Sequence, residues 1–147
     1  MPMIKIVFRG SVYGLITGFI LGFFFKLIEA NGLADVYTLL LNVDFLPFFP
    51  EPLPEWQEFS FHLIVAIVIG IVFTLLIQYR PNPWLWGALL GLVPVPLFIP
   101  LTLLSHRTPS IYDVSALCWW IAGHVLYSIS LSVFGIVWQK NSSRNRS

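Results

Sequence analysis

Four apolar runs dominate the pattern of hydrophobic and polar positions: Gly10–Ile28, Phe61–Tyr79, Trp84–Leu104 and Ala116–Trp138. Each approaches the ~20 residues that a helix needs to cross a hydrocarbon core ~30 Å thick. None shows the wet and dry sides of a surface helix. Polar residues gather between the runs and at the chain ends. The pattern predicts an all-α integral membrane bundle of four transmembrane helices, with spans at about 10–28, 61–79, 84–104 and 116–138. One four-span domain (1–140) then carries an interfacial loop at 30–60 and a disordered tail at 141–147. Lys5 and Arg9 give the first run a basic start like that of a signal peptide. Lys26 and Glu29 interrupt its far end, however, so an uncleaved span is the better reading.

Within the first run, GSVYGLITGFILG places a glycine at every fourth position: Gly10, Gly14, Gly18 and Gly22. In water each would cost a helix about 1 kcal/mol against alanine. In a bilayer the backbone cannot exchange its hydrogen bonds for water, so much of that cost disappears. What remains is a side-chain-free stripe along which another helix can approach closely, a glycine zipper. Ala66, Gly70 and Thr74 form a weaker series in span two. Gly87 and Gly91 follow in span three, and Ser128 and Ser132 in span four. Span one is therefore expected to sit centrally, touching span two and offering its glycine face to a second copy of the chain. A groove holding lipid or substrate is the alternative use of the stripe, and nothing in the stretch itself favours it.

Span three contains Pro94, Pro96 and Pro100. Each lacks a backbone donor and collides with the carbonyl four residues earlier, so the span should be kinked or broken. The carbonyls of Leu90, Leu92 and Pro96 then need other partners, such as the Ser128 or Ser130 hydroxyl, or they line a binding site. His124 lies nine positions past Ser115, about 13 Å along span four, with Trp120, Tyr127 and Ser128 on its face. Its imidazole either donates to a released span-three carbonyl or accepts a proton beside a wet cavity. His62 opens span two one turn after Glu58. A depth difference of about 9 Å from His124 argues against a shared metal ion. Lys26 and Glu29, three apart on one face, are expected to neutralise each other, and Asp113 to cap span four. These five residues (His124, His62, Lys26, Glu29 and Asp113) are the candidate functional polar positions. No nucleophile with a partnered base, phosphate loop, metal-ligand spacing or nucleic-acid signature accompanies them. The reading is thus a non-enzyme with no catalytic residue, no metal, no cofactor and no nucleic-acid partner.

Composition and charge sharpen the picture. Of 147 residues, 57% are hydrophobic and 10% charged, with a mean hydropathy of +0.82. That leaves too little polar surface for a soluble domain. Cys118 is the only cysteine, which excludes an intrachain disulfide and suggests a small packing residue. With four spans, Lys5, Arg9, Arg80, Lys140, Arg144 and Arg146 share one side, and only Lys26 and Arg107 lie toward the other. The positive-inside rule then puts both termini in the cytoplasm. Glu29, Asp35, Asp44, Glu51, Glu55 and Glu58 all fall at or in the first connection. Phe45, Phe48, Phe49 and Trp56 in the same connection are expected along the outer interface. Pro54, Glu55 and Glu58 read as a helix start.

The order of motifs resembles a known family. A glycine-rich first span ends in FKLIEA, FHLIVAIVIG opens span two, and LWGALLG opens span three. A proline-broken exit reaches RTPSIYDV, and AGHVLY lies in span four. Together these resemble the YagU-like family of small bacterial inner-membrane proteins, with a looser likeness to the YqhR-like proteins of spore formers. Carried over, the pattern singles out Lys26, His62, Trp86, Gly87, Pro100, Pro109, Asp113, Gly123 and His124. The resemblance implies a cell-membrane location and a connection with acid tolerance, without a transport substrate. Where the family has an acidic residue shortly before the Gly-His pair, this chain has Trp119 and Trp120. The resemblance therefore does not extend to a carboxylate–imidazole relay.

Overall fold

A computed structural model describes residues 2–46, 48 and 53–144, with side chains to 141. Among these residues the chain is helical without strands. Helix α1 spans Met3–Ala30, α2 Val36–Leu41, α3 Glu55–Tyr79, α4 Pro83–Leu92, α5 Phe98–Leu103 and α6 Val114–Arg144; a 3-10 turn, Val95–Leu97, separates α4 from α5. Four segments are long and apolar enough to cross a membrane: α1, α3, the broken Pro83–Leu103 unit, and α6 to Asn141. Their outward faces carry large exposed apolar side chains, among them Phe8, Phe23 and Leu27 on α1, Val65 and Val68 on α3, and Val125 and Ile129 on α6. So much apolar surface suits hydrocarbon and would be a liability in water.

The helices associate as two pairs, α1 with α3 and α4 with α6, joined mainly where α1 meets α6. Small residues set both pairings. A Cβ on Gly10 would stand 2.6 Å from the Ile71 Cα, and one on Gly14 would meet the Ala66 carbonyl and the Ile67 Cα. On Gly18 it would stand 2.6 Å from the Ala66 Cβ, and on Gly22 2.6 Å from the Phe59 ring. Gly70 answers from α3, where a Cβ would meet the Gly10 carbonyl and the Gly14 backbone. All four glycines of the stripe therefore face α3 of the same chain. In the second pair Gly87 and Gly91 stand against Ser132 and Ser128. Gly123 of α6 leaves the space filled by the Phe25 ring of α1.

Helix ends follow local chemistry. After α1, Gly32 adopts φ +68°, and its N–H bonds the Glu29 carbonyl while the Leu33 N–H bonds that of Ile28. This is the Schellman closure that favours glycine. Glu55 and Glu58 occupy the first turn of α3 behind Pro54, where carboxylates complement the helix dipole. The Asp113 Oδ1 accepts from the Ala116 N–H at 2.9 Å and caps α6.

Several expectations need correction. The 30–60 connection is not simply an interfacial loop, because it contains α2, whose Val36 and Leu39 are fully buried. Phe45, Phe48 and Trp56 are exposed, while Phe49 and Glu51 lie outside the described residues. The tail is not irregular from 141, since α6 continues to Arg144; residues 145–147 lie outside the description. Cys118 is exposed instead of packed. Lys26 does not pair with Glu29. It pairs with Glu55 of α3, because Glu29 is engaged by the Thr38 N–H and hydroxyl at the start of α2.

Candidate functional site

Pro94 and Pro96 break the third span: α4 ends at Leu92 and the chain passes through the 3-10 turn into α5. Pro100 does not break anything. It occupies the first turn of α5, where the missing N–H would have had no helical partner anyway. Carbonyls near the break are met by distant donors. Trp120 Nε1 donates to the Val95 carbonyl at 3.2 Å, and Asn42 Nδ2 donates to that of Leu101 at 3.3 Å. The Ser128 and Ser130 hydroxyls bond back along α6 to the His124 and Leu126 carbonyls. They do not serve the broken span.

Beside the broken unit, a cavity of about 220 Å³ lies at the end of the bundle that carries the α1–α3 and α5–α6 connections. Its walls come from α1 (Leu21), α3 (His62, Val65, Ile69), the break (Pro94, Leu97) and α6 (Trp120, His124, Tyr127). Val65, Leu97 and Phe45 of its wall are 57%, 50% and 45% solvent-accessible. The cavity therefore opens between α3 and the broken span and also toward the segment that follows α2.

Both buried imidazoles line this cavity. His124 Nδ1 lies 2.8 Å from the Trp120 carbonyl, and His62 Nε2 lies 3.0 Å from the Gly18 carbonyl. A carbonyl can only accept, so these nitrogens carry the protons and the opposite ring nitrogens are acceptors. His124 thus donates within its own helix, not to span three. Its neighbour Trp120 makes the cross-link to the break. Trp120 is also stacked on Phe25, with ring centroids 5.4 Å apart. The separation of His62 and His124 expected from the sequence shrinks because α3 begins at Glu55. Counted from the helix starts, the two lie about 10 Å and 15 Å along α3 and α6. The Tyr127 hydroxyl is buried with no partner in hydrogen-bonding geometry. The neighbouring Thr17 hydroxyl is committed to the Tyr13 and Gly14 carbonyls.

A charged cluster adjoins the cavity at Glu58. Arg107 grips Asp44 through two bonds, Nη2 to Oδ1 at 2.6 Å and Nε to Oδ2 at 3.1 Å. The same Nη2 reaches Glu58 Oε1 at 2.7 Å, and the Ser105 hydroxyl adds a further bond to Asp44. Hydrogen bonding to Arg107 holds the Asp44 carboxyl below its ordinary value, against the opposing effect of burial. The two carboxylates in turn hold Arg107 firmly protonated. Nothing in the sequence joined Arg107 to Asp44 and Glu58, which stand 63 and 49 positions away from it. The acidic surplus around the first connection was the available signal.

Lys26, Glu29 and Asp113 lie away from the cavity. Lys26, Tyr37 and Glu55 form a separate, exposed polar cluster, with the Lys26 ammonium 5.3 Å from the Tyr37 ring centroid. Burial and the Glu55 bond push the Tyr37 hydroxyl's pKa up. Among the described residues no group of three or more His, Cys, Asp or Glu side chains could hold a metal ion. Comparisons with protein-family models, curated proteins and solved structures give no match.

Proposed function

We propose that the chain is a multi-pass subunit of a bacterial inner membrane, both termini cytoplasmic, akin to the YagU-like family. Its role on this reading is structural or stress-related, with acid tolerance the setting that the family resemblance implies, and it is not an enzyme. The observation that carries the reading is that the cavity reaching His124 ends there. Toward the chain termini the bundle is filled by Ile6, Phe73, Ile77, Leu131 and Trp138, each at most 4% accessible. A transport path needs polar groups free to serve it or a wet passage through the whole bilayer; the buried Thr74 and Ser132 hydroxyls at this level are spent on backbone carbonyls.

A second reading, a small transporter or proton-handling channel, draws support from two imidazoles beside a broken helix. Proteoliposomes separate the two. On the first reading a pH gradient across vesicles holding the wild type decays no faster than across empty vesicles. A faster decay that His124→Phe abolishes would overturn it in favour of the second. Labelling of cysteines placed at Lys5 and Ser143 should report one side of the membrane for both. Opposite sides would refute the four-span topology.

A further inference from the structure

We propose that the cavity is a binding site for a membrane-soluble molecule with an apolar body and a hydroxyl at its head, the hydroxyl donating to the His124 imidazole. The inference rests on the dead-end reading above and adds the class of occupant. Three observations lead to it. The walls are almost wholly aliphatic and aromatic, so the body of an occupant is apolar. His124 and His62 each spend their one N–H on a backbone carbonyl. The acceptor nitrogens left over, His124 Nε2 and His62 Nδ1, have no partner among the described residues. A buried lone pair without a donor is costly, and the cavity wall sets these acceptors beside the Tyr127 O–H, itself without a partner. The missing complement is a group that both donates and accepts, a hydroxyl; an ester, ketone or ether can only accept.

Size and access set the rest. A cavity of about 150 Å³ lined by apolar side chains accommodates benzene, so 220 Å³ holds a ring or a short chain segment but not a whole lipid. The mouth between Val65 and Leu97 lets the remainder of the molecule lie among lipid tails. The Arg107–Asp44–Glu58 cluster meets the cavity only through Glu58, and the apolar opening between Val65 and Leu97 is the route that suits an occupant with an apolar body.

The test uses the full chain in lipid nanodiscs and four probes: para-octylphenol, decanol and the methyl ether of each, titrated against tryptophan emission. Trp120 lines the cavity and reports occupancy. The expected result is saturable binding of at least one hydroxyl probe, at least about tenfold tighter than its ether, since the ether leaves a buried acceptor unmatched. A tighter phenol identifies aromatic-headed occupants, and a tighter decanol identifies aliphatic alcohols. His124→Phe should bring hydroxyl and ether within about twofold of each other. Leu97→Trp, which leaves both imidazoles in place and fills the mouth, should abolish binding with an unchanged helical spectrum. Equal affinity of hydroxyl and ether for the wild type overturns the proposal, as does the absence of saturable binding, which would mean water alone meets the imidazoles. Proton flux through wild-type vesicles would instead overturn the dead-end reading and leave the hydroxyl preference standing.

Discussion

Gly18→Ala is the most informative single perturbation of the α1–α3 contact, because the structure says which atom it strikes. The new methyl would lie 2.6 Å from the Ala66 Cβ and 3.3 Å from Leu63 Cδ2, where ordinary contact begins at 3.4 Å. Relief requires the two helices to part by a large fraction of an ångström, and a gap of about 0.5–1 Å already forfeits a quarter to a half of each contact's attraction. Overpacking of this kind costs about 1–3 kcal/mol, or roughly a five- to hundredfold loss in the folded-to-unfolded ratio. Ala66→Gly removes the struck atom, so the double variant Gly18→Ala/Ala66→Gly should recover most of the loss. The coupling energy in a double-mutant cycle should be about 1–2 kcal/mol. At Gly14 the obstacles are the Ala66 carbonyl and the Ile67 Cα, which Ala66→Gly leaves in place. Gly14→Ala should therefore stay destabilised in the Ala66→Gly background. Reversible unfolding in mixed micelles, followed by circular dichroism, measures the wild type and these five variants, with the exposed Ile16→Leu as a neutral control. A Gly18→Ala protein as stable as wild type, or equal rescue at Gly14 and Gly18, would refute the packing argument.

Two further outcomes follow from the charged cluster and the break. Asp44 has a depressed folded pKa, so its ion pair stabilises the fold above the ordinary value of 3.8 and that stabilisation is lost as pH falls through the folded value. The thermal midpoint should thus be level from pH 5 to 8 as far as this group is concerned and drop below about pH 4, and Asp44→Asn should flatten that acid limb while lowering the plateau. Trp120→Phe strands the Val95 carbonyl, and should destabilise the protein by about 1–3 kcal/mol in the same unfolding assay. Trp119→Phe, whose ring contact with Phe24 survives in kind, should cost less.

Much of the architecture was legible because lipid-spanning helices are written in runs, and because glycine at every fourth position can serve only one helix face. The small-residue series in spans two, three and four were legible for the same reason, although spacing alone could not say that α1 meets α3 and α4 meets α6. Reading failed where partners are distant. Lys26 had a plausible neighbour at Glu29, but α2, a six-residue helix too short to announce itself, draws Glu29 to Thr38 and leaves Lys26 to Glu55. The released carbonyls had nearby serines to receive them on paper. In the fold those serines bond their own helix, as hydroxyls in apolar helices readily do, and the long-range donors Trp120 and Asn42 go to other carbonyls, those of Val95 and Leu101, 25 and 59 positions away. The meeting of His62 and His124 at one cavity was hidden by the early start of α3, which shifts the depth of every residue counted from it.

The pairing of helices bears on how the polypeptide is made. Residues 3–79 already contain a complete zipped hairpin, and residues 83–144 contain another, so the ribosome releases two self-sufficient units in succession. On the proposed membrane reading, the first can leave the insertion machinery with its glycine stripe covered before the second begins to emerge. What must await both is the seam between them: Phe25 against Gly123 and Trp120, Tyr13 against Phe134, and the bonds of Arg107 to Asp44 and Glu58. The Arg80–Asn82 turn is consequently the place where the chain can be severed and its halves expected to find each other again.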